Sequence, residues 1–209
     1  DGGPTRSGHR TPAVIVEAPV EGVSEEIVRY NAWQFRQILG RGVHGILLCQ
    51  AESAEAVGAF VDSCRYSLNE IGVGDHLGRG TRGVGSESVT TQVWGIDRNE
   101  YLDKADPWPL NPEGELLLGL KIESKSALPH IEEILAVPGL GFAEMGPGDL
   151  SVSLGYRRGA PQPWPELMQQ THERIKAACL KNGVSFLDSG TAETIADKID
   201  AGAKVIAGG

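Results

Sequence analysis

Cysteine is scarce in this chain of 209 residues, which holds only Cys49, Cys64 and Cys179. An odd number at wide spacing, each inside a stretch predicted to be strand or helix, argues against a disulfide framework and a zinc cluster, and implies a reducing compartment. No apolar run approaches the roughly 18 residues of a membrane span. The opening DGGPTRSGHR has none of the features of a signal peptide, so the chain reads as soluble and cytoplasmic. Clustered basic residues are missing too: 19 Lys and Arg face 28 Asp and Glu, for a net charge of −9, which excludes nucleic acid as a partner and suits an enzyme that binds divalent cations. The five histidines, His9, His44, His76, His130 and His172, show no HxH or HExxH spacing, and no GxGxxG turn follows any strand. His172 falls on an apolar helix stripe and His130 opens a helical turn, whereas His9 and His76 lie in loops where an acid or base role stays open.

What the chain does hold is 40% hydrophobic residues, enough for one substantial core and too few for two comfortable domains, so residues 1–209 read as one domain. Residues 12–19 are apolar and β-branched, as in a buried strand, and residues 25–38 carry helical spacing. Residues 43–50 (VHGILLCQ) read as a second strand, after which Ser53 caps a helix with Val57, Phe60, Val61 and Cys64 on one face. Residues 67–111, rich in Gly, Ser, Asp and Pro, show no clear regular structure, and a stretch of that length is more often functional than idle. Alternation resumes with strands at 116–122 and 141–146 around a helix closed by Gly139. A helix through Met168, His172, Ile175 and Cys179 ends at Gly183, and strands at 184–187 and 203–207 flank a helix over 191–201. Six strands alternating with helices imply a parallel sheet, either doubly wound or an eight-stranded (β/α)8 barrel of the TIM type; the barrel is favoured, with about six of its eight units visible.

Two carboxylates end successive strands of this pattern. Leu116 to Ile122 leads into Glu123, and Gly141 to Gly146 leads into the turn that presents Asp149, 26 residues later. Parallel neighbours lie about 4.8 Å apart, so acids beyond their carboxyl ends reach one hard cation and leave positions open for a substrate. Taken singly, either acid is better explained as a helix cap; taken together in GPGDLS, they read as a metal site.

The segment LGLKIESKSALPHIEEILAVPGLGFAEMGPGDLSVSLGY resembles the HpcH/HpaI aldolase and citrate lyase family of metal-dependent 2-oxo acid aldolases, and Arg82-Gly83-Val84-Gly85-Ser86 is similar to an RGxG segment of those enzymes. The resemblance covers most of the chain. It implies a barrel in which Glu123 and Asp149 hold Mg²⁺, Mn²⁺ or Co²⁺. It also implies a pyruvate-like carboxylate held by the backbone amides of Gly148 and Asp149, with Lys121 standing where the family has a substrate-binding glutamine. A homo-oligomer is implied as well. The chain departs from the family at Glu17, in Val16-Glu17-Ala18-Pro19, where an arginine usually steadies enolate charge. The family's first two strands, its general-base histidine and its last helix would fall outside these 209 residues.

The chemistry implied is cleavage or formation of a 4-hydroxy-2-oxo acid, with pyruvate and an aldehyde as partners, because a divalent cation chelated by a 2-oxo acid stabilises the enolate that carbon–carbon cleavage creates. Decarboxylation of oxaloacetate or another β-keto acid uses the same enolate, and a metal-binding barrel subunit without turnover is the rival motivated by Glu17. Lys121 reads as a fixed charge for a carboxylate, with a Schiff base as the alternative. Arg82 is a candidate for the cation lost at position 17, against an ion-paired surface role. Gln50, at a strand end, is a candidate substrate contact, and Cys49 beside it reads as packing. Glu144 either orients water in the barrel interior or pairs with Lys121.

Overall fold

The computed structural model describes residues 13–75 and 77–208; His9 and His76 therefore lie outside the described residues. The chain opens with β1 (Ile15–Glu21), in which Ala18 and Val20 are buried while Glu17, Pro19 and Glu21 alternate onto the other face. The helix expected over 25–38 is two helices, α1 (Glu25–Tyr30) and α2 (Ala32–Leu39). They part at Asn31, whose side chain and backbone N–H both bond to the Ile27 carbonyl. Strand β2 (Gly45–Cys49) and helix α3 (Ala54–Cys64) follow, and the Ser53 hydroxyl accepts from the Ala56 N–H as the N-cap.

Residues 67–111 hold more structure than their composition suggests: α4 (Glu87–Trp94), α5 (Arg98–Lys104) and the two-residue β3 (Pro107–Trp108). Each of the two helices buries only two residues, so neither leaves an apolar stripe in the sequence. Then come β4 (Leu116–Ile122), a 3-10 turn (Lys125–His130), α6 (Ile131–Leu135), β5 (Phe142–Met145), α7 (Pro147–Ser153), α8 (Glu166–Asn182), β6 (Ser185–Gly190), α9 (Ile195–Asp200) and β7 (Val205–Gly208). Gly139 and Gly183 both take positive φ, at +96° and +71°, where a side chain would be strained.

All pairings between these strands are parallel, and the main path of the sheet, β1-β2-β4-β5-β6-β7, follows chain order, with β3 beside the start of β4. Successive helices pack on one another outside the sheet, α1 on α3, α3 on α6 and α6 on α8. This is the winding of a TIM-type barrel, seen as an open arc of six strands among the described residues. The outer face of the sheet, with Ile46, Leu48, Leu118, Leu120, Ile122, Ala143 and Met145, packs against the helix layer as the main core. On the inner face a Cβ at Gly119 would overlap the Phe142 ring, so this glycine lets the aromatic of the next strand fill the interior. No helix among the described residues is long and apolar enough to cross a membrane.

One buried ion pair fastens the 67–111 segment to the barrel. Arg65, after α3, donates from Nε and Nη2 to the two carboxylate oxygens of Asp106 at 2.7 and 3.1 Å, with both side chains 0% exposed, and its Nη1 donates to the Ile71 carbonyl. Removing one partner strands the other charge away from water. Asp106→Ala is accordingly expected to lower stability by about 3–5 kcal/mol, read as a shifted midpoint in urea denaturation.

Candidate active site

Parallel strands with helices behind them send their carboxyl ends toward a common rim, and β1, β2, β4 and β5 put their polar residues there. The rim encloses a cavity of about 570 Å³ lined by residues 17–21 of β1, by Ile27 and Asn31, and by Cys49, Gln50, Glu123 and Asp149. Glu123 follows directly on β4 and is only 2% exposed. Its Oε1 accepts the Gln50 backbone N–H at 3.1 Å, and Gln50 is the one described residue other than glycine with positive φ, at 51°. Backbone strain at this point aims an amide at the carboxylate. On the opposite side a Cβ at Gly146 would collide with the Glu123 carboxylate, so the residue that ends β5 is small by necessity.

Asp149 stands in the first turn of α7, where Gly146 is the N-cap and Pro147 the first helical residue. In that turn the N–H groups of Gly148 and Asp149 have no acceptor within the helix, and a Cβ on Gly148 would meet nothing within 4 Å. Burial, opposed by the Gln50 amide and Lys121 and reinforced by the neighbouring Asp149 carboxyl, pushes Glu123 up to about 7. The pair is thus two crowded hard oxygen donors opening on a cavity, and its chemistry fits a divalent cation such as Mg²⁺ or Mn²⁺, which would neutralise both. No third His, Cys, Asp or Glu joins them as a metal cluster among the described residues. The remaining coordination positions would fall to water or substrate.

Lys121, two residues before Glu123 and on the inner face, is 3.2 Å from Glu17 Oε2 and 3.7 Å from Glu144 Oε1. The contact with Glu144 follows from register, because the two residues are direct partners in the β4–β5 ladder. Burial works against the lysine charge, yet Glu17, Cys49 and Glu144 together hold its pKa above the ordinary value. Glu17 also accepts from the Cys49 thiol at 3.1 Å, and this bond together with that from Lys121 keeps the Glu17 carboxyl below its usual range. The Cys49 thiol itself is pushed strongly upward by burial and by its bond to Glu17, which suits packing and not nucleophilic attack.

The structure therefore gathers Lys121, Glu123, Asp149, Gly148 and Gln50 at one rim, together with Glu17, Cys49 and Glu144. It does not bring Arg82 there. The Arg82 N–H donates to the Arg65 carbonyl beyond the C-terminal end of α3. Its Nη2 donates to the Tyr101 hydroxyl at 2.6 Å, and its guanidinium lies 4.4 Å from the Tyr66 ring centroid. Arg82 is a buried cation, not a surface residue, and it is not among the residues that line this cavity. His172, 14% exposed, packs against Trp164 and Phe186 and faces Asp188, away from the rim. Sequence reasoning missed Glu21, although its spacing from Glu17 is the signal that both face the cavity. Gly146→Ala is expected to weaken Mn²⁺ binding by about 10–100-fold, as loss of a ligand's support does. Gly148→Ala should leave binding unchanged, and calorimetric titration compares the two.

A family profile described as HpcH/HpaI aldolase/citrate lyase matches residues 16–208. Over 185 residues the chain is 30% identical to a hydroxypyruvate/pyruvate aldolase of Roseobacter denitrificans, covering 85% of this chain and 61% of that protein. Over 176 residues it is 31% identical to a 2-keto-3-deoxy-L-rhamnonate aldolase of Klebsiella pneumoniae, covering 84% of this chain and 56% of the relative. The chain thus spans about three fifths of the length of these curated relatives. A crystal structure of a family protein from Burkholderia cenocepacia superposes with a TM-score of 0.68 at 22% identity, over 92% of this chain and 65% of the other, and so shares its fold. With a family profile that matches nearly its whole length and a parallel barrel whose adjacent strands end in paired acids, this chain belongs to the HpcH/HpaI aldolase/citrate lyase family.

Proposed function

We propose that the protein is a divalent-metal-dependent carbon–carbon lyase that cleaves or forms 4-hydroxy-2-oxo acids, with pyruvate or a close 2-oxo acid as one partner and an aldehyde as the other. The observation that carries this reading is the buried Glu123 carboxylate, clamped between the Gln50 amide and Gly146 and set beside Asp149 at the mouth of the cavity. Family membership and the two curated aldolases support it.

Glu123 and Asp149 would hold the cation, Mg²⁺, Mn²⁺ or Co²⁺, which supplies Lewis-acid stabilisation of the negative charge that develops on the 2-oxo acid. Gly148 and Asp149 offer free backbone N–H groups to the substrate carboxylate. Lys121 adds a positive charge held in place by Glu17 and Glu144, and that engagement, with its raised pKa, favours a fixed cation over a Schiff-base nucleophile. Gln50 holds Glu123 through its backbone and presents its side chain to the cavity. A cytoplasmic homo-oligomer belongs to the same reading and is supported by the resemblance alone.

Proton exchange at the pyruvate methyl group, followed by NMR in D₂O, tests enolate formation without any choice of aldehyde. Exchange is expected with Mg²⁺, to stop with a chelator, and to fall by at least about 100-fold in Glu123→Gln and Asp149→Asn. Exchange that persists in both variants, or that ignores the chelator, would overturn the proposal. A folded protein that binds metal without any exchange would favour a barrel subunit without turnover.

A further inference from the structure

One wall of the cavity is built by β1. Along β1, Ala18 and Val20 turn outward into the core at 6% and 4% exposure, so Glu17, Pro19 and Glu21 form the side that meets the cavity. The charged residues of the lining are Glu17, Glu21, Glu123 and Asp149, and no Lys, Arg or His lines it among the described residues. Two nearby cations are committed elsewhere. Lys121 is shared by Glu17 and Glu144, and Arg29 of α1 turns away to Glu25 and Asp62.

A divalent cation balances Glu123 and Asp149, and Lys121 balances one of Glu17 and Glu144. The 2-oxo acid then adds its own carboxylate, and among the described residues no Lys, Arg or His pairs with Glu21 to offset it. A second carboxylate or a phosphate on the incoming aldehyde would enter a cavity that already carries excess negative charge. Carboxylate oxygens at this wall are good partners for hydroxyl donors instead.

We infer that the β1 wall is the subsite for the aldehyde partner, and that Glu21 with Glu17 selects uncharged hydroxyaldehydes over carboxylated or phosphorylated ones. The inference rests on the enolate-forming reading above. In the synthetic direction the pyruvate methyl carbon, having lost a proton, forms a bond to the aldehyde carbonyl carbon, and the carbonyl oxygen takes up a proton to become the new hydroxyl. No other reactant is needed. The hydroxyl groups on the rest of the aldehyde are what the β1 wall reads.

Initial rates of addition to pyruvate with Mg²⁺ test this for glyceraldehyde, glyceraldehyde 3-phosphate and succinic semialdehyde, each divided by the methyl-exchange rate of the same preparation. In the wild-type protein glyceraldehyde is expected to exceed both anionic aldehydes in kcat/KM by on the order of tenfold or more. Glu21→Gln should narrow that gap and Glu21→Lys should close or reverse it; the second variant also guards against a loss of discrimination through misfolding, since it predicts a gain with the anionic aldehydes. Equal use of neutral and anionic aldehydes by the wild type, or a preference unmoved in Glu21→Lys, would overturn the inference while methyl exchange persists. If exchange itself is absent, the enolate reading fails and the subsite falls with it.

Discussion

The site depends on a close approach between Glu123 and the glycine that ends the next strand. Parallel pairing fixes the separation of β4 and β5, and within that spacing a carboxylate fits beside the backbone of residue 146 only if that residue has no side chain. The Gln50 amide closes the other flank from β2. Three consecutive strands of the sheet thus grip one acid, and Asp149, on the helix that leaves the third, is brought beside it. The residues immediately after three strands, with the first turn of α7, set the geometry of the pair.

The same interior shows how charges are shared when water is scarce. Lys121 sits between two carboxylates from different strands, one its ladder partner and the other two strands away, while Glu17 in turn takes the Cys49 thiol proton in a hydrogen bond. Four strands are tied together across the barrel face by these contacts, with Lys121 and Glu144 the more buried members and Glu17 the exposed one. At position 17 the chain carries an acid, and the cation of this neighbourhood is supplied from β4. Whatever charge the barrel presents to a substrate is therefore set by the group of residues and not by any one of them.

Much of the barrel was legible in the sequence because its signals are local. The apolar runs of β2, β4 and β5, the Ser53 cap, and Gly139 and Gly183 at positive φ all sit within a few residues of what they determine. Glu123 and Asp149 were legible for a related reason, since equivalent positions in adjacent strand–helix units repeat along the chain. Long-range contacts left no such trace. The Arg65–Asp106 pair joins residues 41 apart and has no sequence pattern, so the segment it anchors read as irregular, and the small buried faces of α4 and α5 hid both helices. The burial of Arg82 was hidden for the same cause: an arginine in a glycine-rich stretch looks solvated until Tyr66 and Tyr101, distant in sequence, close around it.

Strand order along the main path is also chain order. Each strand of this path from β2 onward docks beside one that precedes it in the chain, whereas the two-residue β3 pairs only with the later β4. Among the described strands of this path, none must be threaded between two others already paired. The β4–β5 step is the one that brings Glu123 and Asp149 together, and along the chain it precedes α8 and the last two strands.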